Sequence, residues 1–154
     1  MNDSSKRDFI KSTGAAAAAL AITAITGDAN TSIHEINALT PTSEQLKAFA
    51  QLPDEGPVVM LNLLKFKPNG AAEYAKYAAG IAPILKKLGG RIIFSSRAEF
   101  CFIGHGDWDA VALVEYPHRK TLLQMIMMPE YQAIHPYREA GLAGQINYAL
   151  VQTA

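Results

Sequence analysis

The stretch Pro57-Val58-Val59-Met60-Leu61-Asn62-Leu63-Leu64-Lys65-Phe66 is apolar at every position but Asn62 and Lys65. A strand with one solvated face alternates apolar and polar side chains, so a run this uniform predicts a strand covered on both faces. From Ala71 to Leu88 the period changes to that of a helix: Tyr74, Tyr77, Ile81, Leu85 and Leu88 share one face, while Glu73, Lys76 and Lys87 lie on another, and Pro83 predicts a kink. Gly89-Gly90 ends that helix and launches a strand from Arg91 to about Ile103. Gly104-His105-Gly106-Asp107 reads as a turn, Trp108 to Tyr116 as a further strand closed by Pro117. A helix at about 118 to 127 carries Leu122, Leu123 and Ile126; Pro129 opens another that runs to Gly141 or Leu142, and residues 145 to 152 form the last strand. Ahead of all these, Pro41 suits a first helical position, Thr42 and Gln45 have capping-box spacing, and Leu46, Phe49 and Ala50 form a short apolar stripe ending near Pro53.

After that leading helix the order is strand, helix, strand, strand, helix, strand, which is the split βαβ arrangement of ferredoxin-like folds. The expectation is an α+β sandwich: an antiparallel sheet with helices on one face. The first strand also needs cover on its other face, and in a chain this short a second copy of itself supplies it, so a homodimer is expected.

The first residues follow a different pattern. Lys6, Arg7 and Lys11 precede an apolar stretch from Gly14 to Ile25 that holds five consecutive alanines, and small residues follow at Thr26 to Ala29. Charged start, short apolar segment and small residues at the cut are the three parts of a secretory signal, expected here over residues 1–29, with a linker at 30–40 and the folded domain at 41–154. An alanine-rich helix of the mature fold is the other reading. About a dozen apolar residues fall short of the ~20 that span a bilayer, so no stable membrane anchor is expected after cleavage. Ser5-Lys6-Arg7-Asp8-Phe9-Ile10-Lys11 resembles the twin-arginine export motif, with lysine for its first arginine and isoleucine for its leucine. That resemblance implies a periplasmic protein that crosses the membrane already folded; general secretion is the other route.

Composition narrows the partners. Basic and acidic residues balance at 14 each, and the first 29 residues hold Lys6, Arg7 and Lys11 against Asp3, Asp8 and Asp28, so the mature chain is also neutral. With no basic stripe to neutralise phosphates, nucleic acid is not an expected partner. Cys101, the lone cysteine, sits between Phe100 and Phe102 and reads as a small buried hydrophobe.

Asn62 is the first candidate for chemistry, because an amide in an apolar strand must find partners; either a ligand or a neighbouring loop could satisfy it. Tyr131, His135, Arg138 and Leu142 fall at i, i+4, i+7 and i+11 of the helix after Pro129, which places three polar side chains on one face. His135 is the natural proton carrier there and Arg138 can hold a carboxylate or enolate; the alternative is a partly solvated helix face. Catalytic candidates are thus His135, Arg138 and Asn62, with Tyr131, Tyr74, Trp108 and Glu115 as candidates to touch a ligand. Glu115 could point into the space between sheet and helices, with Arg91 or Arg138 as its partner. Arg97 and Glu99 read as a surface ion pair on one strand face, and Met125, Met127 and Met128 as core filler. His105, Asp107 and Asp109 have ligand chemistry but sit in a turn that favours Asp for backbone bonding, so no metal site is assigned. No cofactor is expected: Gly104-His105-Gly106 lacks the third glycine of a dinucleotide loop, and no nucleophile elbow or haem attachment motif is present.

The segments "GPVVMLNLLKFKP", "GGRIIF", "WDAVALVEYP" and "MPEYQAIHPYREAGL" together resemble successive motifs of the domain-of-unknown-function 1330 family, within the dimeric α+β barrel superfamily, over nearly all of residues 41 to 152. The resemblance implies a ferredoxin-like fold and a dimer formed through the sheets. The wider superfamily includes cofactor-free monooxygenases, muconolactone isomerases, polyketide cyclases and haem proteins, so the fold does not select a reaction. The expected function is binding of a small apolar organic molecule, with a cofactor-independent isomerase, lyase or oxygenase as the catalytic version and a non-catalytic accessory protein as the alternative. Replacing Lys6 and Arg7 together by glutamine is expected to leave the uncleaved precursor in the cytoplasm, as read by cell fractionation; an unchanged periplasmic yield contradicts the export signal.

Overall fold

The computed structural model describes residues 38–151; the expected signal over 1–29 and the linker up to residue 37 lie outside the described residues. The elements are α1 (Ser43–Gln51), β1 (Val58–Phe66), α2 (Gly70–Lys87), β2 (Arg91–Arg97), β3 (Ala110–Tyr116), α3 (Arg119–Ile126), α4 (Pro129–Gly141) and β4 (Leu142–Leu150). The strands form one antiparallel sheet in the order β2-β3-β1-β4, the α+β ferredoxin-like arrangement, with β1 paired on both edges. At α1 the Thr42 hydroxyl accepts from the Gln45 N–H at 3.1 Å while Gln45 Oε1 accepts from the Thr42 N–H at 2.9 Å, which completes the capping box. Pro83 lies inside α2, which continues to Lys87.

Register sorts the side chains of β1 between two faces. Val58 and Leu64 are buried, and Val58 belongs to a core built with Ile81, Ile84 and Leu85 of α2, Tyr116 of β3, Met125 of α3 and Tyr131 of α4. Side chains alternate along a strand, so Val58, Met60, Asn62, Leu64 and Phe66 face the helices. Val59, Leu61 and Leu63 face the other way. Directly opposite residues share a face. The open face therefore also carries Leu113 and Val111 of β3, Tyr148 and Ile146 of β4 and Phe94 of β2. Those apolar side chains are only half-buried or exposed.

Several expectations need correction. β2 ends at Arg97, six residues short of Ile103, and residues 98–109 are irregular. Glu99 is consequently off the strand and forms no ion pair with Arg97 among the described residues. Cys101 is exposed, not buried, because its neighbours Phe100, Phe102 and Ile103 project with 82%, 86% and 85% of their surface open. Met125 is core and Met128 packs against it, but Met127 is exposed. β4 starts at Leu142, three residues early, because α4 passes into it without a loop.

The helix pair is held close by two glycines. The Lys67 N–H donates to the Gly141 carbonyl at 2.9 Å and the Gly70 N–H to the Lys67 carbonyl at 2.8 Å, which joins the start of α2 to the end of α4. A Cβ at Gly141 would lie 2.8 Å from the Gly70 carbonyl oxygen and 2.8 Å from the Tyr74 nitrogen, both backbone atoms that cannot swing aside. Gly141→Ala is therefore expected to lower stability by about 1–3 kcal/mol, the ordinary cost of overpacking, in urea denaturation. A midpoint equal to the parent's contradicts this close approach.

Candidate functional site

α4 presents Tyr131, His135 and Arg138 along one side, and the buried Arg138 organises what lies beneath it. Its Nη1 donates to the Leu39 carbonyl at 2.7 Å and lies 3.5 Å from His135 Nε2, and its Nη2 donates to Gln145 Oε1. Gln145 Nε2 in turn donates to Asn147 Oδ1. Asn147 is the register partner of Asn62 in β1. A line of polar side chains thus runs from α4 across the helix-facing side of β4 to β1. Asn62 ends it, its amide nitrogen donating to the Met60 carbonyl at 3.0 Å and the Ala112 carbonyl at 3.2 Å.

Aromatic rings flank this line. Phe66 and Tyr74 have centroids 5.4 Å apart, Tyr74 and Tyr77 5.4 Å, Tyr77 and Tyr131 6.4 Å edge-on, and Tyr131 and the His135 ring 5.5 Å. Burial pushes the Tyr74 phenol up to about 12, although the charge of Arg138 pulls the other way, and burial raises Tyr77 well above its ordinary value. Both stay protonated at neutral pH and can donate. His135 moves in the opposite sense: burial, then the Arg138 charge, hold it below its usual value of 6.5, against a smaller upward pull from Glu139, whose Oε1 lies 3.8 Å from Nδ1. The imidazole, read from the sequence as a proton carrier, is thus biased toward its neutral form.

Of the residues singled out in the sequence, Asn62, Tyr131, His135, Arg138 and Tyr74 lie on the helix side of the sheet. Glu115 does not. It pairs with Arg91, Oε1 to Nε at 2.8 Å, and opposes Val59, so the alternation that buries Tyr116 in the core turns Glu115 to the open face. Trp108 stands before β3, half-buried against Gly106. Asp107 and Asp109 both hold Lys65, at 2.8 and 3.2 Å, and Asp109 Oδ2 also accepts from the Phe66 N–H at 2.7 Å. Gln145 and Asn147 were not among the candidates. Their i, i+2 spacing is a strand-face signal, but it becomes visible only once Asn147 is paired with Asn62. Two surface hollows, of about 300 Å³ at Ala82, Leu85 and Ile92 and about 640 Å³ at Phe66, Pro68 and Arg97, include neither Asn62 nor His135.

Solved structures share the fold. A protein of unknown function from Rhodopseudomonas palustris is 29% identical, with a TM-score of 0.71 over 77% of this chain and 98% of its own. A Caulobacter crescentus protein whose name assigns it, provisionally, to the antibiotic biosynthesis monooxygenases is 19% identical, with a TM-score of 0.52 over 64% of this chain and 92% of its own. A dabb family protein with a ferredoxin-like fold from Mesorhizobium loti is 13% identical, with a TM-score of 0.50 over 65% of this chain and all of its own. None of the curated proteins compared with the chain is similar to it. The family model described as a domain of unknown function, DUF1330, matches residues 62–153, from the asparagine of β1 through the whole of β4, and the chain belongs to that family.

Proposed function

We propose that the chain is an exported, homodimeric domain that binds a small, mostly apolar organic molecule between its sheet and helices, and that it acts on that molecule without a cofactor. The observation that carries this reading is the polar line Tyr131, His135, Arg138, Gln145, Asn147 and Asn62 on the helix side of the sheet, with aromatic rings beside its α4 end and Asn147 open to solvent. Apolar walls with a few convergent polar groups are the usual make-up of a small-molecule site. Neutral His135 is the group able to take a proton from a carbon acid or an enol, and Tyr74 and Tyr77 are phenols able to donate to the oxygen on which charge develops. Arg138, committed to Leu39 and Gln145, acts by orienting and by holding His135 neutral. Isomerase, lyase and oxygenase chemistry all fit that set. The name of the Caulobacter relative points to the last, by likeness of fold.

The dimer rests on the open face. Leu61, Leu63, Leu113, Val111, Ile146, Tyr148 and Phe94 form an apolar surface across all four strands, and a surface of that kind on a small protein calls for a partner. A second reading, an accessory protein docked on a periplasmic enzyme, draws on the exposed Phe100, Phe102 and Ile103. Native mass spectrometry of the exported protein separates them. The proposal expects two chains per particle, a retained small organic molecule, loss of that molecule in Asn62→Leu, and a folded monomer from Leu61→Lys. A folded parent monomer at micromolar concentration overturns the dimer, and a parent dimer with no bound molecule decides for the accessory role.

The state of His135 gives a pH signature. Its folded pKa lies below the unfolded value of about 6.5, so between the two the unfolded chain binds more protons and stability rises with pH. The contribution is complete above pH 6.5 and is lost as pH falls through the folded value. Urea denaturation at pH 8 and pH 5 is expected to show a smaller loss for His135→Gln than for the parent. Equal losses contradict a half-buried histidine held toward its neutral form.

A further inference from the structure

The hollow at the end of the sheet is lined by Lys65, Phe66, Lys67, Pro68, Ala71, Arg97, Ala98 and Asp109, and its volume of about 640 Å³ would take a ligand of one or two rings. Its walls are built in advance. The Phe66 ring packs on Tyr74 at 5.4 Å, and the Phe66 N–H is held by Asp109 at 2.7 Å. Pro68, Ala71 and Ala98 add apolar surface with little conformational freedom to lose. Charge in the groove is unevenly matched. Lys65 is held between Asp107 and Asp109, whereas Lys67 donates to the Glu139 carbonyl at 2.8 Å and keeps an uncompensated charge. Arg97 is exposed, and neither it nor Lys67 pairs with a carboxylate among the described residues. The pairing of Arg97 with Ala110, itself opposite buried Leu64, sets the guanidinium on the helix-facing side, where α2 contributes Ala71.

We propose that this groove is a binding site for a small organic anion with a flat apolar body, an aromatic carboxylate being the simplest form. The body lies against Phe66, Pro68 and Ala98, and the carboxylate meets Arg97, whose planar guanidinium matches its two oxygens, with Lys67 at the rim. The site is separate from the polar line under α4 and does not depend on that reading. Asp109 excludes a second negative charge on the side of Lys65, which favours a monoanion over a dianion.

The test uses the full mature chain with two probes of the same ring system, naphthalene-2-carboxylate and the neutral naphthalen-2-ylmethanol, followed by amide chemical shifts. Saturable binding of the carboxylate is expected, with shifts centred on Phe66, Lys67, Ala71 and Ala98, and about tenfold weaker binding in Arg97→Gln, the loss of one charge-assisted contact. Arg97→Lys should recover part of that loss, and Lys67→Gln should weaken binding and reduce its salt dependence. The alcohol should bind more weakly and ignore both changes. Equal affinity for acid and alcohol, no saturable binding of the acid, or an Arg97→Gln protein that binds it as the parent does overturns the proposal. Shifts confined to Asn62, Gln145 and Asn147 overturn it too, while leaving the reading of the site under α4 intact.

Discussion

The position of β1 in the middle of the sheet constrains everything built around it. It is paired along both edges, with β3 and β4, so its backbone is satisfied within the sheet and its side chains alone decide what each face becomes. One set, Val58, Met60 and Leu64, meets α2, α3 and α4 and makes the core. The other, Val59, Leu61 and Leu63, is equally apolar yet meets no element of the described chain. The helices fill one layer, and the second apolar layer is the physical reason to look for a partner.

Arg138 is the costly part of the helix side. Removing a guanidinium from water costs several kcal/mol unless its donors are met, and here they are met by a carbonyl and an amide rather than by a carboxylate. The positive charge is therefore solvated but not cancelled, and it remains able to bias what is near it. His135 responds by favouring its neutral form, and Tyr74 by resisting the upward push of burial. The same two hydrogen bonds tie Leu39, ahead of α1, to β4, so one side chain joins the beginning of the described chain to its last strand.

Element types and order were legible in the sequence because each rests on periodicity or on a local cap: the uniform run of β1, the helical stripe of α2, the Thr42–Gln45 box, Pro129 at the start of α4. What failed depends on tertiary context. Phe100, Cys101, Phe102 and Ile103 read as strand because they are apolar and one is β-branched, but no neighbouring strand pairs with them and the run projects instead. Tyr131, His135 and Arg138 were found from helical spacing, and Asn62 from its apolar surroundings. Glu115 was misplaced because a strand's facing cannot be assigned before its register is known. Gln145 and Asn147 escaped because their significance lies in what they oppose, and cross-strand pairing has no local signature.

Register also explains how two faces of one thin sheet can serve different ends. A shift of one residue would carry Asn62 to the open face and Leu61 or Leu63 to the helices, so the polar line and the apolar surface stay apart only while pairing is held. One irregularity lies in the edge strand β2 and the other at the end of β1 where it meets β4, so the central pairing of β1 with β3 is uninterrupted. The one at Ile93 lets Arg91 oppose Glu115 and Phe94 oppose Leu113, so both keep to the open face although they are three residues apart. The one between Lys65 and Phe66 brings Leu142, fully buried, rather than Ala143 opposite Phe66, and it does so where α4 runs straight into β4. Strand β4 can thus begin inside the core, beside the last turn of the helix that carries Arg138, and still reach Gln145 and Asn147 in the phase that joins them to it.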